Sequence, residues 1–412
     1  MRRCAIIALV LLSAIVHCQD LVIVGGRVEV GNGKVLENGV IVVRDGKIAE
    51  IGSKLPVPVG MNSLDAKGMT IYPGFINGYS TKSLKLPDAP SAATPPSTLS
   101  VAPPTMWQGN RKGIRAQLKT AECLDLKVFM SDAHKAGFTA SYLAPGGGLI
   151  RGTGALAYWT DEKFDAHPFG MEMSFRNAGG QGYPGTLLGA VALLRQTLYD
   201  AQRYGKLSKP EKDADYDGLQ PVLRAETSAV FAADSEADIQ RALKIGDEFG
   251  FPVVIQGSRD AYKRGKMLAD KKVPVIVDCA IGDEPSVKTS PDGPPVAVLE
   301  ERRDQWKERA LNVIELQKAG VLFAFSAERD GWSDYLKDVR ALIGLGLSKS
   351  AALRAMTSAP AEIFGVAREV GTLEKGKVAN LALMNGDFAD AKSEVQSVVV
   401  LGKVFEYKKE AK

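Results

Sequence analysis

Hydrophobic and polar positions change their spacing twice along this chain. Between residues 21 and 72 the apolar residues gather into short β-rich runs, over 21–24, 27–30, 40–44, 47–51 and 70–72, separated by glycine-containing turns. Asp45-Gly46 stands between two of these runs. A two-residue hairpin turn needs positive φ at both central positions, so this pair predicts a hairpin. The same texture returns over 381–384, 395–400 and 402–405. Two β-rich ends flanking a different middle predict one small sheet domain assembled from both ends of the chain.

The middle alternates strands and helices, most clearly beyond residue 235. Ser235-Glu236-Ala237-Asp238 resembles a capping box, in which a hydroxyl and a carboxylate satisfy free N–H groups of the first turn, and it opens a helix to about Glu248. Strand 253–256, a helix over 259–271, strand 273–277, a long charged helix over 296–318 and strand 321–325 continue the pattern. Ser348 then caps a further helix, and Ser358 opens the last helical turns. Regular alternation of this kind implies a parallel sheet, open or closed into a barrel. Residues 86–104, crowded with Pro, Ala, Ser and Thr, break the plan and read as an extended, exposed excursion.

Composition narrows the class. The 412 residues are 45% hydrophobic and 24% charged, enough for a large core in a globular chain. Residues 1–18 depart from that balance: Arg2-Arg3 precede an apolar run over 5–16, which reads as a secretory signal peptide. About twelve apolar residues fall short of the roughly twenty that span a bilayer. The expectation is therefore an exported protein, periplasmic or extracellular, with no membrane span after cleavage. Cleavage after Cys18 leaves Cys123 and Cys279 of the 4 cysteines, which make no disulfide framework. It also removes Arg2 and Arg3 and no acid, taking the formal charge from +4 to +2. So small an imbalance is no footprint for nucleic acid.

Three groups of residues resemble the amidohydrolase superfamily, and within it the imidazolonepropionase-like branch. Val24-Gly25-Gly26-Arg27-Val28, the run from Val40 to Ile48 and Tyr72-Pro73-Gly74-Phe75-Ile76-Asn77 are similar to the family's passage from a small sheet into a barrel. Thr357-Ser358-Ala359-Pro360-Ala361-Glu362-Ile363-Phe364-Gly365 and the run from Gly371 to Leu381 are similar to its return. Ala136-Gly137-Phe138-Thr139 and the strand-helix run over 233–278 fit between them. The resemblance implies an α/β fold, a (β/α)8 TIM-type barrel over 73–365 with a small β-sandwich formed from 19–72 and 366–412.

The resemblance also implies one or two divalent metals, zinc or another, at the C-terminal mouth of the barrel, where they activate water and polarise a carbonyl. Such a site needs several imidazoles and a carboxylate. By the motif, the first-strand His-x-His positions hold Tyr79 and Thr81, later histidine positions hold Ala232 and Gln256, and the strand-eight aspartate position holds Glu328. No metal is therefore expected. Of the 3 histidines, His17 falls in the leader. His134 is expected at a solvated helix end and His167 in a loop, neither at a ligand position. Glu328 is the best remaining general base, and Asp278, Arg151, Arg329 and Asp330 are candidates to line a pocket. Pro145-Gly146-Gly147-Gly148 with Arg151-Gly152-Thr153-Gly154 has the composition of an anion-cradling nest, or else of a loop after the second barrel strand.

Two functions are carried forward. The first is an exported homologue without a metal site that binds a small-molecule ligand or a partner, either a second copy or an intact relative. The second is an active hydrolase of non-peptide C–N bonds, in cyclic amides or dipeptide-like compounds, working through an atypical site.

Overall fold

Two eight-stranded sheets organise the protein. The computed structural model describes residues 20–87, 113–176, 184–289, 293–328 and 332–407. Residues 1–19, which include the segment expected to be a signal peptide, most of the Pro-rich excursion, Arg329 and Asp330 lie outside the described residues. The chain enters through β1 (Leu21–Glu29), β2 (Val35–Arg44), β3 (Lys47–Gly52), β4 (Asn62–Asp65) and β5 (Thr70–Pro73). It then builds β6 (Phe75–Ser80), α1 (Met130–Lys135), β7 (Phe138–Leu143), β8 (Ile150–Tyr158), β9 (His167–Ser174), α2 (Leu187–Tyr204) and α3 (Ala214–Leu223). Next come β10 (Ala229–Ala232), α4 (Glu236–Phe249), β11 (Val253–Gln256), α5 (Gly265–Asp270), β12 (Val275–Asp278), α6 (Val296–Ala319) and β13 (Phe323–Ser326). It closes with α7 (Tyr335–Gly344), α8 (Lys349–Met356), α9 (Ser358–Ile363), β14 (Leu381–Met384), β15 (Val395–Val400) and β16 (Lys403–Glu406).

The first sheet has the order β16-β15-β14-β5-β1-β2-β3, with β4 also against β1. Its two halves come from opposite ends of the chain and meet where β5 and β14 pair antiparallel, Pro73 opposite Leu381 and Thr70 opposite Met384. Asp45 (φ 48°) and Gly46 (φ 73°) make the expected hairpin between β2 and β3. Ile23, Ile41, Ile48, Ile71, Leu381, Leu383 and Val399 bury one face together. Each such side chain contributes about 1.5–3 kcal/mol on leaving water.

The second sheet runs β6-β7-β8-β9-β10-β11-β12-β13, and β13 packs back against β6 to nearly close a barrel. Gly78 allows that closure, because a Cβ there would stand 2.7 Å from the Phe325 carbonyl oxygen. The barrel differs from the expected parallel form at one strand: β8 pairs antiparallel with both neighbours. Only residues 144–149 separate β7 from β8, whereas a parallel return needs a crossover of about a dozen residues or more. Arg151-Gly152-Thr153-Gly154, expected in a loop, are therefore part of a strand.

Ile76, Ala140, Leu156, Val230, Val254, Ile276 and Ala324 fill the lumen from every strand but β9. Phe364, just past α9, stacks on the Tyr142 ring at 4.5 Å and 15° and joins that inner cluster. The outward faces of the strands, with Phe75, Phe138, Met171, Phe231, Ile255, Val275 and Phe323, pack beneath the helices. The helices begin as expected where local chemistry fixes them. Ser235 Oγ accepts from the Asp238 N–H at 3.2 Å, and Ser348 Oγ from the Ala351 N–H at 3.2 Å. No helix of the described residues is long and apolar enough to cross a membrane.

Candidate functional site

Seven parallel strands of the barrel present their C-terminal ends on one side, and the reversed β8 presents its N-terminal end there with Arg151. This mouth is where a barrel of this type carries its chemistry. At the first strand end, the Thr81 N–H donates to Glu328 Oε2 at 3.1 Å, and the Thr81 hydroxyl donates to Glu328 Oε1. Both oxygens of the expected base are thus engaged by the residue at an expected ligand position. The seam beside them is held by Asn77, whose Oδ1 accepts from the N–H groups of Tyr79 at 3.3 Å and Ala327 at 3.1 Å.

Tyr79 fills space: it is buried among the lumen side chains, with its ring 6.3 Å from that of Tyr142. Ala232 offers only a methyl group. Gln256 is half-buried at the end of β11, and Asp278 Oδ1 accepts from the Ala280 N–H at 3.0 Å. Just after the glycine loop, the backbone N–H groups of Leu149 and Ile150 both go to the Gly113 carbonyl. Arg151 Nε donates to the Gly148 carbonyl at 3.2 Å.

The group that sequence reasoning missed is Glu172. It lies on β9 with no solvent exposure, and its Oε1 accepts from the Tyr142 hydroxyl at 2.6 Å. Its Oε2 has no partner. Burial pushes this carboxyl from its usual 4.5 up to about 7, against the opposing pull of the Tyr142 hydroxyl and the Arg151 guanidinium. Burial, followed by the Glu172 charge, raises the Tyr79 phenol, which Arg151 opposes. A carboxyl, a guanidinium and two phenols thus share the lumen beneath the Thr81–Glu328 pair. The signal in the sequence was a lone acid between two methionines, Met171-Glu172-Met173, in an otherwise apolar run.

Both described histidines sit away from the mouth. His167 opens β9, about 23 Å along the strand from Ser174 at 3.3 Å per residue. It is a strand residue rather than a loop residue, and its Nε2 lies 3.3 Å from Glu369 Oε2. His134 is fully buried, not solvated. Its Nε2 donates to the Trp159 carbonyl at 2.7 Å, which leaves Nδ1 to accept from the Tyr407 hydroxyl at 2.7 Å. Burial lowers this imidazole from 6.5 to about 4.

A divalent metal of the kind the fold family carries does not fit the donors described at the mouth. Zinc sites draw on imidazole, thiolate and available carboxylate. Here the strand ends offer a phenol, a hydroxyl, a methyl, an amide and carboxylates already hydrogen bonded. Among the described residues no group of three or more His, Cys, Asp or Glu is placed to hold an ion.

Comparison with known proteins bears on the fold. The sequence profile of the amidohydrolase family matches residues 308–405. Comparison with curated proteins gave no match. Among solved structures, an amidohydrolase from Thermotoga maritima MSB8 aligns at a TM-score of 0.76 and 21% identity, covering 94% of this chain and 100% of that one. A prolidase complexed with N-methylphosphonate-L-proline aligns at 0.56 and 15% identity, covering 95% and 100%. A second amidohydrolase aligns at 0.56 and 16% identity, with the same coverage. The fold is that of the amidohydrolases.

Proposed function

We propose that this chain is an amidohydrolase-superfamily homologue of the imidazolonepropionase-like kind that holds a small-molecule ligand or a partner chain at its barrel mouth and does not hydrolyse through a divalent metal. The observation that carries this reading is the pairing of Thr81 with Glu328. Two strand ends that the resemblance assigns to metal ligands are bonded to each other. The position of His134 and His167 away from the mouth supports the same reading, and the apolar leader behind Arg2-Arg3 supports export. A second copy of the chain or an intact relative is the partner class in view. Elemental mass spectrometry on the purified mature protein, incubated with zinc, manganese or iron and then desalted, is expected to find substoichiometric metal and no metal-dependent rise in melting temperature. Stoichiometric, stabilising metal together with hydrolysis of a cyclic amide would overturn the proposal.

A second reading draws on Glu172. A buried carboxyl at about 7 beneath the mouth suits general acid-base work at neutral pH, so metal-independent cleavage of a C–N bond is the competing function. The ligand of the prolidase neighbour makes dipeptide-like proline amides the natural first substrates to try. On this reading Glu172→Gln abolishes turnover by about a hundredfold or more, and Glu328→Gln tests the base read from the sequence. Turnover that survives both substitutions removes this alternative.

A further inference from the structure

A small cavity, of about 20 Å3, lies between the loop after β11, the end of β12 and α6. Val277, which belongs to the outward-facing core, and Arg309 and Asn312 of α6 line it, so it stands outside the lumen. Asn312 fastens its walls: Nδ2 donates to the Ser258 carbonyl at 2.9 Å, and Oδ1 accepts from the Tyr262 N–H at 3.0 Å. Inside this frame Ser258 is 1% exposed, and its hydroxyl has no hydrogen-bond partner. Arg259 and Arg309 also line the cavity, and neither guanidinium pairs with a described residue. The one carboxylate in the lining, Asp278, is engaged by the Ala280 N–H.

We infer that this cavity is an oxyanion site for a phosphate group, free or as a monoester. A space of that size holds about one water molecule, hence one oxygen of the ion rather than the whole of it. That oxygen accepts from the Ser258 hydroxyl, while Arg259 and Arg309 take the others at the rim with the planar fork that suits phosphate. Three separate donors match a tetrahedral oxyanion, which offers an oxygen to each. A planar carboxylate has only two oxygens. Occupancy ties the β11 loop to α6 beside Gln256 and Asp278, and so stiffens one side of the barrel mouth.

The test is calorimetric titration of the mature protein with inorganic phosphate, phenyl phosphate and acetate, at constant ionic strength set with KCl. Saturable binding of either phosphate compound, and none of acetate, is expected, and the tighter of the two identifies free or esterified phosphate as the source. Arg259→Gln and Arg309→Gln are each expected to weaken binding about tenfold or more, in line with the loss of a charged hydrogen bond. Arg302→Gln, exposed on the same helix, is expected to change nothing. Ser258→Ala removes a buried hydroxyl that has no partner, so the phosphate-free protein is expected to keep or raise its melting temperature while binding weakens. Acetate binding as tightly as phosphate, absence of saturation, or equal losses in the Arg302 and Arg309 variants would each overturn the site.

Discussion

Gly154→Ala is expected to lower the unfolding free energy by about 3 kcal/mol or more, read as a fall in the urea midpoint. An added Cβ on β8 overlaps the Tyr142 hydroxyl and its attached ring carbon, and stands 2.7 Å from Cε2. The ring has nowhere to go. It is fully buried, stacked on Phe364, and its hydroxyl donates to Glu172. Displacing it adds overpacking strain of about 1–3 kcal/mol to the cost of leaving a buried carboxyl without its donor, about 1–3 kcal/mol more. Most proteins of this kind hold only about 5–15 kcal/mol in total. If the clash is the cause, Gly154→Ala should cost much less in a Tyr142→Ala background. An equal cost in both backgrounds would refute the mechanism.

Glu172→Gln is expected to reshape the dependence of stability on pH. The folded carboxyl sits at about 7 and the usual value is 4.5, so below pH 4.5 both states are protonated and the group contributes no pH-dependent loss. As pH rises from 4.5 to about 7 the unfolded chain releases the proton first, and the wild type loses about 3 kcal/mol across that window. The glutamine variant escapes the loss, so its stability relative to wild type should improve between pH 4.5 and 7 and then level off. His134 works with the opposite sign. Its folded value of about 4 lies under the usual 6.5, so stability is complete above 6.5 and falls as pH drops from 6.5 toward 4. His134→Gln should therefore flatten the acid limb instead. Denaturation curves at pH 4.5, 5.5, 6.5 and 7.5 separate the two, and parallel profiles for wild type and both variants would sink the argument.

The features legible in the sequence were those decided within a few residues. Asp45-Gly46 fixes its hairpin by its own φ preferences, and Ser235 and Ser348 cap helices through bonds three residues away. The terminal sheet was legible because its strands repeat one texture at both ends. Strand β8 was not, because its glycines read as loop. Gly154 is there to admit the Tyr142 ring, and Gly152 because Leu118 packs against its backbone. His134 was misread since α1 spans only 6 residues, too few for periodicity to reveal a buried face. Glu172 needed the partner thirty residues earlier, Tyr142, which only the folded barrel brings to it. At the mouth the sequence named Thr81 and Glu328 as separate positions, and that they bond each other is a fact of barrel closure.

The seam between β5 and β14 has a consequence in time. Pro73 must wait for Leu381 before its strand acquires that neighbour. At about 5–20 residues per second of synthesis, that interval is on the order of 15–60 seconds. Throughout it β5 presents an open edge of the kind that captures other chains. The barrel is thus made inside an unfinished bracket, and β14 acts as the fastener that withdraws a sticky edge from circulation.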